Sequence, residues 1–498
     1  MNRFATLLAA TLVATQLQAC GRAGTVPTAD SPRDLGPLSA ASFKNHQPVV
    51  SMSYSDRGQL SKLAELGMEI WYVDKAAHKV FGQITPEQLA GVKALGLDPR
   101  EVTRPGLRNS FDNGYHTYEQ VKAELEALAA KYPTLAKVED IGDSWEKTKG
   151  KANHDILALH ISTGDASTKP ALLYCGNHHA REIVTPEMVL KLAHVLLEGH
   201  GTDPELTGYV ENRDLYLIPM VNPDGHTLAE KGNDWRKNTN ITTGGGTQLS
   251  GGPNGPGVDL NRNYGFHWGT GGASTEPTSA TFRGPAPFSE PEVQAIKGLV
   301  ERRPFTFLMT YHSFSNLILW PWGYQNAPPP DKRLPAIGMQ LGKLSGYTPE
   351  QSIDLYQTSG DTTDWAFGAR NVLAYTTEIG TWGDGFDPPF SKVETFWKQN
   401  EPGARLLLNL AANPAWTFGT PVQAATSRNG EIEVSLPAGA RAAEAFIGRE
   451  GKDGTGIKLA VAGAKAHLTL GAKGGKQLVL VHAQDANGQW GPTKALFN

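Results

Sequence analysis

The hydrophobic pattern of this chain changes its period along the sequence. Residues 49–53 read as a strand, and Leu60, Leu63 and Ala64 then recur at helical spacing. Two further strands are predicted over 68–73 and 78–84. Thr85-Pro86-Glu87-Gln88 opens a helix, with Thr as the cap, Pro at the first helical position and Gln three residues after the cap. Leu89, Val92 and Leu95 line its apolar face, and Gly96 stops it. This order, with room for a last strand, predicts a small two-layer α+β domain that fills 47–112 together with an exposed linker at 104–108.

From 113 to 413 apolar runs of strand length, at 156–161, 171–175, 215–218, 305–311 and 372–377, alternate with helical stretches such as 118–131 and 186–197. Uninterrupted apolar strands imply an α/β sheet covered on both faces, with active residues where strands give way to loops. Over 418–498 the pattern becomes short and alternating: Ile432, Val434 and Leu436, then Ile457, Leu459 and Val461, then Leu468 and Leu470, with a hairpin signal at Asn429-Gly430. That predicts an all-β module, a small sandwich, in which no chemistry is read. No internal repeat is present. The glycine-rich stretch 244–257 lacks the Walker lysine and the spacing of a dinucleotide loop, so it reads as a surface loop.

The first 20 residues read as an export signal: Arg3 supplies positive charge, and the apolar run 4–13 is too short to span a bilayer. Leu17-Gln18-Ala19-Cys20-Gly21 is similar to a bacterial lipobox, in which Cys20 is lipidated and becomes the mature N-terminus, although Gln is not the usual residue there. The other reading is plain secretion after cleavage nearby. Both exclude the cytoplasm, and the first puts the protein on a membrane facing the periplasm or the cell surface. Residues 21–46, rich in Ser, Pro, Gly and Ala, read as a flexible tether.

A chain of 498 residues accommodates about three domains. With 39% hydrophobic and 19% charged residues the composition is globular. The net charge of −4 speaks against a broad nucleic-acid surface, so any membrane contact is expected only through a lipid anchor. Only two cysteines exist, Cys20 and Cys175, which excludes a disulfide framework; Cys175, inside an apolar run, reads as a small buried hydrophobe.

Candidate chemistry begins after the 171–175 strand. His179 and Glu182 are three apart, so one helical turn would put both on one face as a two-ligand clamp for an ion such as zinc. Such a pair is common by chance. The best third ligand is His312, at the end of another apolar strand; three protein ligands leave a fourth zinc position open, the arrangement of a catalytic site.

In order along 113–413, HARE (179–182), NPDG (222–225), WRKN (235–238), DLNRN (259–263), TYHS (310–313), LYQTSGDTTDW (355–365) and TTEIG (376–380) resemble the zinc metallocarboxypeptidases of the carboxypeptidase A and T type. The resemblance implies a mixed-sheet α/β/α fold, one Zn2+, and release of the C-terminal residue from peptides or proteins with a free C-terminus. It implies that His179, Glu182 and His312 bind zinc and that Asp259 accepts a hydrogen bond from His179. Arg236 would face the scissile carbonyl, Asn261 and Arg262 would hold the terminal carboxylate, Tyr356 would cap the terminal residue, and Glu378 would be the general base. Arg181 would support either substrate or structure. Thr363 would lie at the floor of the specificity pocket. Asp361 would stand at its wall, giving mixed apolar and basic specificity, or would merely point to solvent or cap its loop.

The 47–112 domain resembles the pro-region that covers the cleft in this family until proteolysis removes it; a permanent neighbour is the other reading. Two other functions stay open. One is a cell-wall peptide hydrolase or amidohydrolase on the same fold, the other an inactive surface binding protein. The sequence does not address oligomeric state.

Overall fold

A computed structural model describes residues 32–39, 42–43, 47–104, 111, 114–244, 255–470 and 476–498. The signal stretch with Cys20, most of the 104–108 linker and most of the glycine-rich loop lie outside the described residues.

The N-terminal domain contains β1 (Asp34–Pro37), β2 (Val49–Ser53), α1 (Arg57–Glu65), β3 (Glu69–Asp74), β4 (Lys79–Gln83), α2 (Pro86–Ala94) and β5 (Arg100–Val102). Its five strands form an antiparallel sheet in the order β1-β5-β2-β4-β3. Thr85 and Gln88 make the reciprocal capping box at α2, and Gly96, at φ +74, ends that helix in the left-handed region. Successive strand residues go to opposite sides. Val50, Met52, Ile70 and Val80 join the helices in one core, whereas Val49, Trp71 and Phe81 pack on Phe314, Trp382 and Phe386 of the next domain.

Strand β1 corrects the expectation of a tether over all of 21–46. It is an exposed edge strand, with Leu35 60% accessible, so it carries no hydrophobic signature. Its pairing with β5 and the Asp34–Arg100 contact at 2.6 Å hold it instead.

The central domain comprises α3 (Tyr118–Lys131), β6 (Ala136–Asp143), the single turn α4 (Trp145–Thr148), β7 (Asp155–Ile161), β8 (Ala171–Gly176), α5 (Val184–Gly199), α6 (Pro204–Asn212), β9 (Asp214–Ile218) and α7 (Pro223–Ala229). It continues with α8 (Pro291–Arg302), β10 (Phe305–His312), β11 (Leu317–Trp320), α9 (Arg333–Ser345), β12 (Thr348–Gln351), α10 (Thr362–Arg370), β13 (Leu373–Glu378) and α11 (Val393–Leu410). The eight-stranded sheet has the order β12-β11-β13-β10-β8-β9-β7-β6. Its centre, β13-β10-β8-β9, is parallel.

The apolar strands read as unbroken runs because each feeds two cores. Leu172, Tyr174, Phe307, Met309, Tyr311, Leu373 and Tyr375 enter one. Ala171, Leu173, Cys175, Leu308 and Ala374 enter the other, on the opposite face. Each fully buried large side chain contributes about 1.5–3 kcal/mol.

The C-terminal strands β14 (Ala424–Arg428), β15 (Glu431–Ser435), β16 (Ala442–Ile447), β17 (Ile457–Lys458), β18 (Ala460–Ala462), β19 (Lys465–Thr469), β20 (Leu478–Gln484) and β21 (Lys494–Phe497) form two four-stranded sheets. Asn429 and Gly430, both at positive φ, turn the β14–β15 hairpin. The alternation at 457–461 is not one strand. The chain crosses between sheets at buried Leu459, leaving Ile457 and Val461 exposed. Among the described residues no helix is long and apolar enough to cross a membrane.

Candidate active site

Three parallel strands end at one place. In the sheet register Gly176 lies beside Tyr311, and His312 beside Glu378, so the last residues of β8, β10 and β13 are neighbours. The segment leaving β8 is turned by Asn177, whose φ of 59° lies in the left-handed region that Asn tolerates. Its Nδ2 donates to the carbonyls of His179 and Ala180 at 3.3 and 3.2 Å. A helix would have used those carbonyls for residues 183 and 184. So 179–182 is a turn, with the Glu182 N–H on the His179 carbonyl, rather than the helical turn expected from the spacing. The helix itself begins only at Val184.

The turn brings the three candidate ligands together. His179 Nδ1 lies 2.7 Å from Glu182 Oε1, His312 Nδ1 3.0 Å from Glu182 Oε2, and the two Nδ1 atoms 3.2 Å apart. All three residues are buried. Two imidazole nitrogens and a carboxylate converging this closely, with Glu182 Oε2 lacking a properly formed hydrogen bond, suit a cation that accepts all their lone pairs. Nitrogen and oxygen donors in this number match zinc with one position left open. Behind the trio, Asp259 Oδ1 stands 3.2 Å from His179 Nε2, the contact that would fix the ring's tautomer. A second acidic group, Asp140, Asp143 and Asp155, already encloses the Lys147 ammonium, 2.7 Å from Asp143.

Arg236 reaches the same Asp259. Its Nε and Nη2 bond Oδ2 at 3.1 and 2.8 Å, so one face of the guanidinium is fixed from behind. Burial by itself would raise the Asp259 carboxyl pKa, but Arg236 and His179 hold it well below the usual carboxylate range. Arg262 is buried, donates from Nη1 to the Asn261 carbonyl at 2.8 Å, and keeps an unpartnered Nε. Its Nη2 stands 3.4 Å from the Tyr356 hydroxyl. Asn261 Oδ1 accepts from the Thr362 N–H and hydroxyl at 2.9 and 2.8 Å, which turns its amide donors the other way. Glu378 lines the cleft, and burial together with Glu182 pushes its carboxyl pKa well upward.

Asp361 caps α10: Oδ1 accepts from the Asp364 N–H at 2.8 Å and the Thr363 hydroxyl at 3.0 Å, and Oδ2 from the Thr358 hydroxyl at 2.8 Å. It lines the cleft as well, together with Thr363 and Thr358. Asp361 thus caps its helix and stands at the cleft wall at once.

Three features were not anticipated. His178 is buried with Nε2 on Tyr264 and Thr362 at 2.9 and 3.2 Å; burial pushes its pKa far down and its ring stacks on His312. Asp234 pairs with Arg181 and with Arg104 from the end of the N-terminal domain. Most consequential is Glu69, the first residue of β3. It is 4% exposed, contacts Arg181 Nη2 closely, and lies 3.6 Å from Arg236 Nη1. Arg181 is thus bound on both sides and sits 3.7 Å over the Phe386 ring. Ile70 and Trp71 follow Glu69 into the cleft, which retains about 70 Å³ of free space, against ~300 Å³ or more for a ligand pocket. A polar residue opening an apolar strand was the one available signal for Glu69.

Comparison with known proteins agrees with this geometry. Residues 121–403 match the model of a family described as zinc carboxypeptidase. Carboxypeptidase A2 of Rattus norvegicus is 32% identical over 282 residues, which cover 53% of this chain and 62% of that protein, so the chain spans less than two thirds of this relative. Carboxypeptidase B of Astacus astacus is 31% identical over 308 residues, covering 59% of this chain and 96% of that one. The crystal structure of carboxypeptidase A from Helicoverpa armigera superposes with a TM-score of 0.60 at 27% identity, over 74% of this chain and 97% of that one.

Proposed function

The chain belongs to the zinc carboxypeptidase family, and from that premise we propose that it hydrolyses the last peptide bond of peptides or proteins bearing a free C-terminal carboxylate. The observation that carries this is the convergence of His179, Glu182 and His312 beside Glu378, with the unpartnered Nε of buried Arg262 in the same region. Zinc held by the trio supplies Lewis acidity toward the carbonyl and lowers the pKa of a bound water to about 7. Arg262 and Asn261 hold the terminal carboxylate, for which a planar guanidinium is suited where an ammonium is not. Tyr356 covers the terminal residue. Arg236, fixed from behind by Asp259, offers its remaining Nη1 to the developing oxyanion. Glu378 takes the proton of the attacking water and delivers one to the leaving amine.

The N-terminal domain acts as a removable cover. What supports this is Glu69, which places a carboxylate against Arg181 and Arg236 where a substrate would need them, with Trp71 and Ile70 filling the space beside it. The terminal residue accepted is apolar or basic: the neutral Thr363 floor admits a large side chain, and the Asp361 carboxylate at the wall pairs with Lys or Arg. The protein is exported and held at a membrane through lipid on Cys20. Mass spectrometry of the mature N-terminus, with Cys20→Ser as control, tests the anchor; a protein released unmodified by wild-type cells contradicts it.

The test of the main reading is metal content against turnover. Protein freed of its N-terminal domain should contain one zinc, lose hydrolysis of a blocked dipeptide on chelation and regain it with zinc. His312→Ala should lose both metal and turnover. Full activity in metal-free protein would overturn the reading.

A further inference from the structure

Behind the cleft, away from the metal ligands, two glutamates converge on one amide. Glu290 immediately precedes α8, without a side-chain capping bond, and Glu292 lies in its first turn; neither has accessible surface. Asn238 Nδ2 donates to Glu290 Oε2 at 2.7 Å and to Glu292 Oε2 at 3.2 Å. Glu290 also accepts from Asn240 Nδ2 and the Ser289 hydroxyl, and Glu292 Oε1 from the Trp145 N–H. The other charged group facing Glu292 is Asp224, which has Glu146 beside it and His154 on Oδ1 at 2.7 Å. Among the described residues no Lys, Arg or His forms an ion pair with Glu290 or Glu292. Two buried carboxylates without a counter-cation cannot both ionise cheaply, and burial beside Glu290 and Asp224 favours the protonated form of Glu292.

Asn238 joins two segments that carry the cleft groups. Its Oδ1 accepts from the Val258 N–H at 2.8 Å, its N–H donates to the Val258 carbonyl at 3.0 Å, and its own carbonyl accepts from Trp235 Nε1 at 3.2 Å. Arg236 lies two residues before it; Asp259, Asn261 and Arg262 directly follow Val258. Whatever orients the Asn238 amide therefore sets the register between the proposed oxyanion donor and the proposed carboxylate clamp.

We propose that Asn238 is a positioning residue for the reaction, and that a proton on Glu292 lets its amide stay clamped between the two buried carboxyls, so that losing this proton loosens Arg236 and Arg262 together. The proposal rests on the roles given above to those two arginines. Burial, then the neighbouring Glu290 and Asp224, push the Glu292 carboxyl up to about 8. The clamp is accordingly closed at neutral pH and opens in mild alkali.

Glu292→Gln, an uncharged mimic of the protonated carboxyl, tests this with two readouts, the first in the zinc-loaded full chain. The first needs no activity. A folded pKa of about 8 against ~4.3 unfolded means that wild type loses stability as pH rises through this interval, while Gln does not titrate. The Tm of the variant should therefore gain on wild type between pH 5 and pH 8, by about 2 °C or more. A gap that stays constant overturns the proton on Glu292 even if the protein proves not to be a carboxypeptidase. The second readout, in protein freed of its N-terminal domain, is the ratio of kcat/KM at pH 9 to that at pH 7. It should fall about tenfold in wild type, one unit above the titration, and much less in Glu292→Gln. Equal falls overturn the link to catalysis. Asn238→Asp, isosteric but carrying a third carboxylate, should lower kcat/KM at pH 7 by roughly tenfold or more with zinc retained; unchanged kcat/KM there contradicts the positioning role.

Discussion

The central domain carries a neighbour at each side, and the two junctions use the same physics to different ends. At the N-terminal junction buried Glu69 meets Arg181 and Arg236, and Arg104 meets Asp234. At the C-terminal junction half-buried Glu450 meets Arg213 at 2.6 Å, and Asp453 accepts from Asn413 and Trp416 at 3.0 and 2.9 Å. Glu69–Arg181 and Glu450–Arg213 are ion pairs removed from water, whose rupture leaves an uncompensated charge. The difference lies in what else the partners do. Arg213 also donates to the Leu408 and Asn409 carbonyls at the end of α11 and has no part in the cleft. Arg236 lines the cleft. A contact with structural groups can only stabilise, whereas on the proposed function a contact with Arg236 would also block a group the reaction needs.

The comparison can be broken by separating activity from stability. The reference is Glu378→Gln, which touches neither junction: kcat should fall by about 10²–10⁴ with zinc content and Tm preserved. Glu450→Ala should act on stability alone, by roughly 3–5 kcal/mol, because Arg213 is left buried and unpaired. Turnover of the folded variant should match wild type; a loss of kcat at a temperature where it is folded would show that the C-terminal junction reaches the site. Glu69→Gln should do the reverse. Weakening a charge-assisted contact worth about 1.5–3 kcal/mol should raise the activity of the uncut chain roughly tenfold. An uncut variant no more active than wild type would mean that the cover is held by its aromatic contacts with Phe314, Trp382 and Phe386 rather than by charge. Asp361→Asn should have the smallest effect. Asn also caps helices well, so α10 should remain, while cleavage of C-terminal Lys and Arg drops about fivefold, ~1 kcal/mol, and apolar termini are spared. Equal effects on both classes would confine Asp361 to its capping role.

The parts of this architecture that the sequence discloses are those where burial leaves a pattern. The strands at 171–176 and 305–312 stand out because both faces are covered, and α2 because its capping box is local. Strand Asp34–Pro37 left no trace, since an exposed edge strand needs no alternation. Ala136–Asp143 pairs with β7 through a polar sequence, AKVEDIGD, and is equally silent. For the site, the motifs mark His179, Glu182 and His312, but the turn that joins the first two depends on Asn177 and its left-handed backbone, which residue spacing does not encode. Glu69 and Glu450 are less legible still. Each acts through a partner more than a hundred residues away, and a glutamate at the start of a strand or in a loop looks like any solvated one until the domains are docked.

The central claim is that Arg262 and its neighbours read a free terminal carboxylate beside a zinc centre. The most direct measurement compares kcat/KM for one blocked dipeptide ending in Phe, with its terminus free and with it amidated, using zinc-loaded protein freed of its N-terminal domain. The account predicts cleavage of the free acid and a loss of about 10² or more on amidation, since a buried guanidinium is left without its partner. Equal cleavage of the two would contradict it.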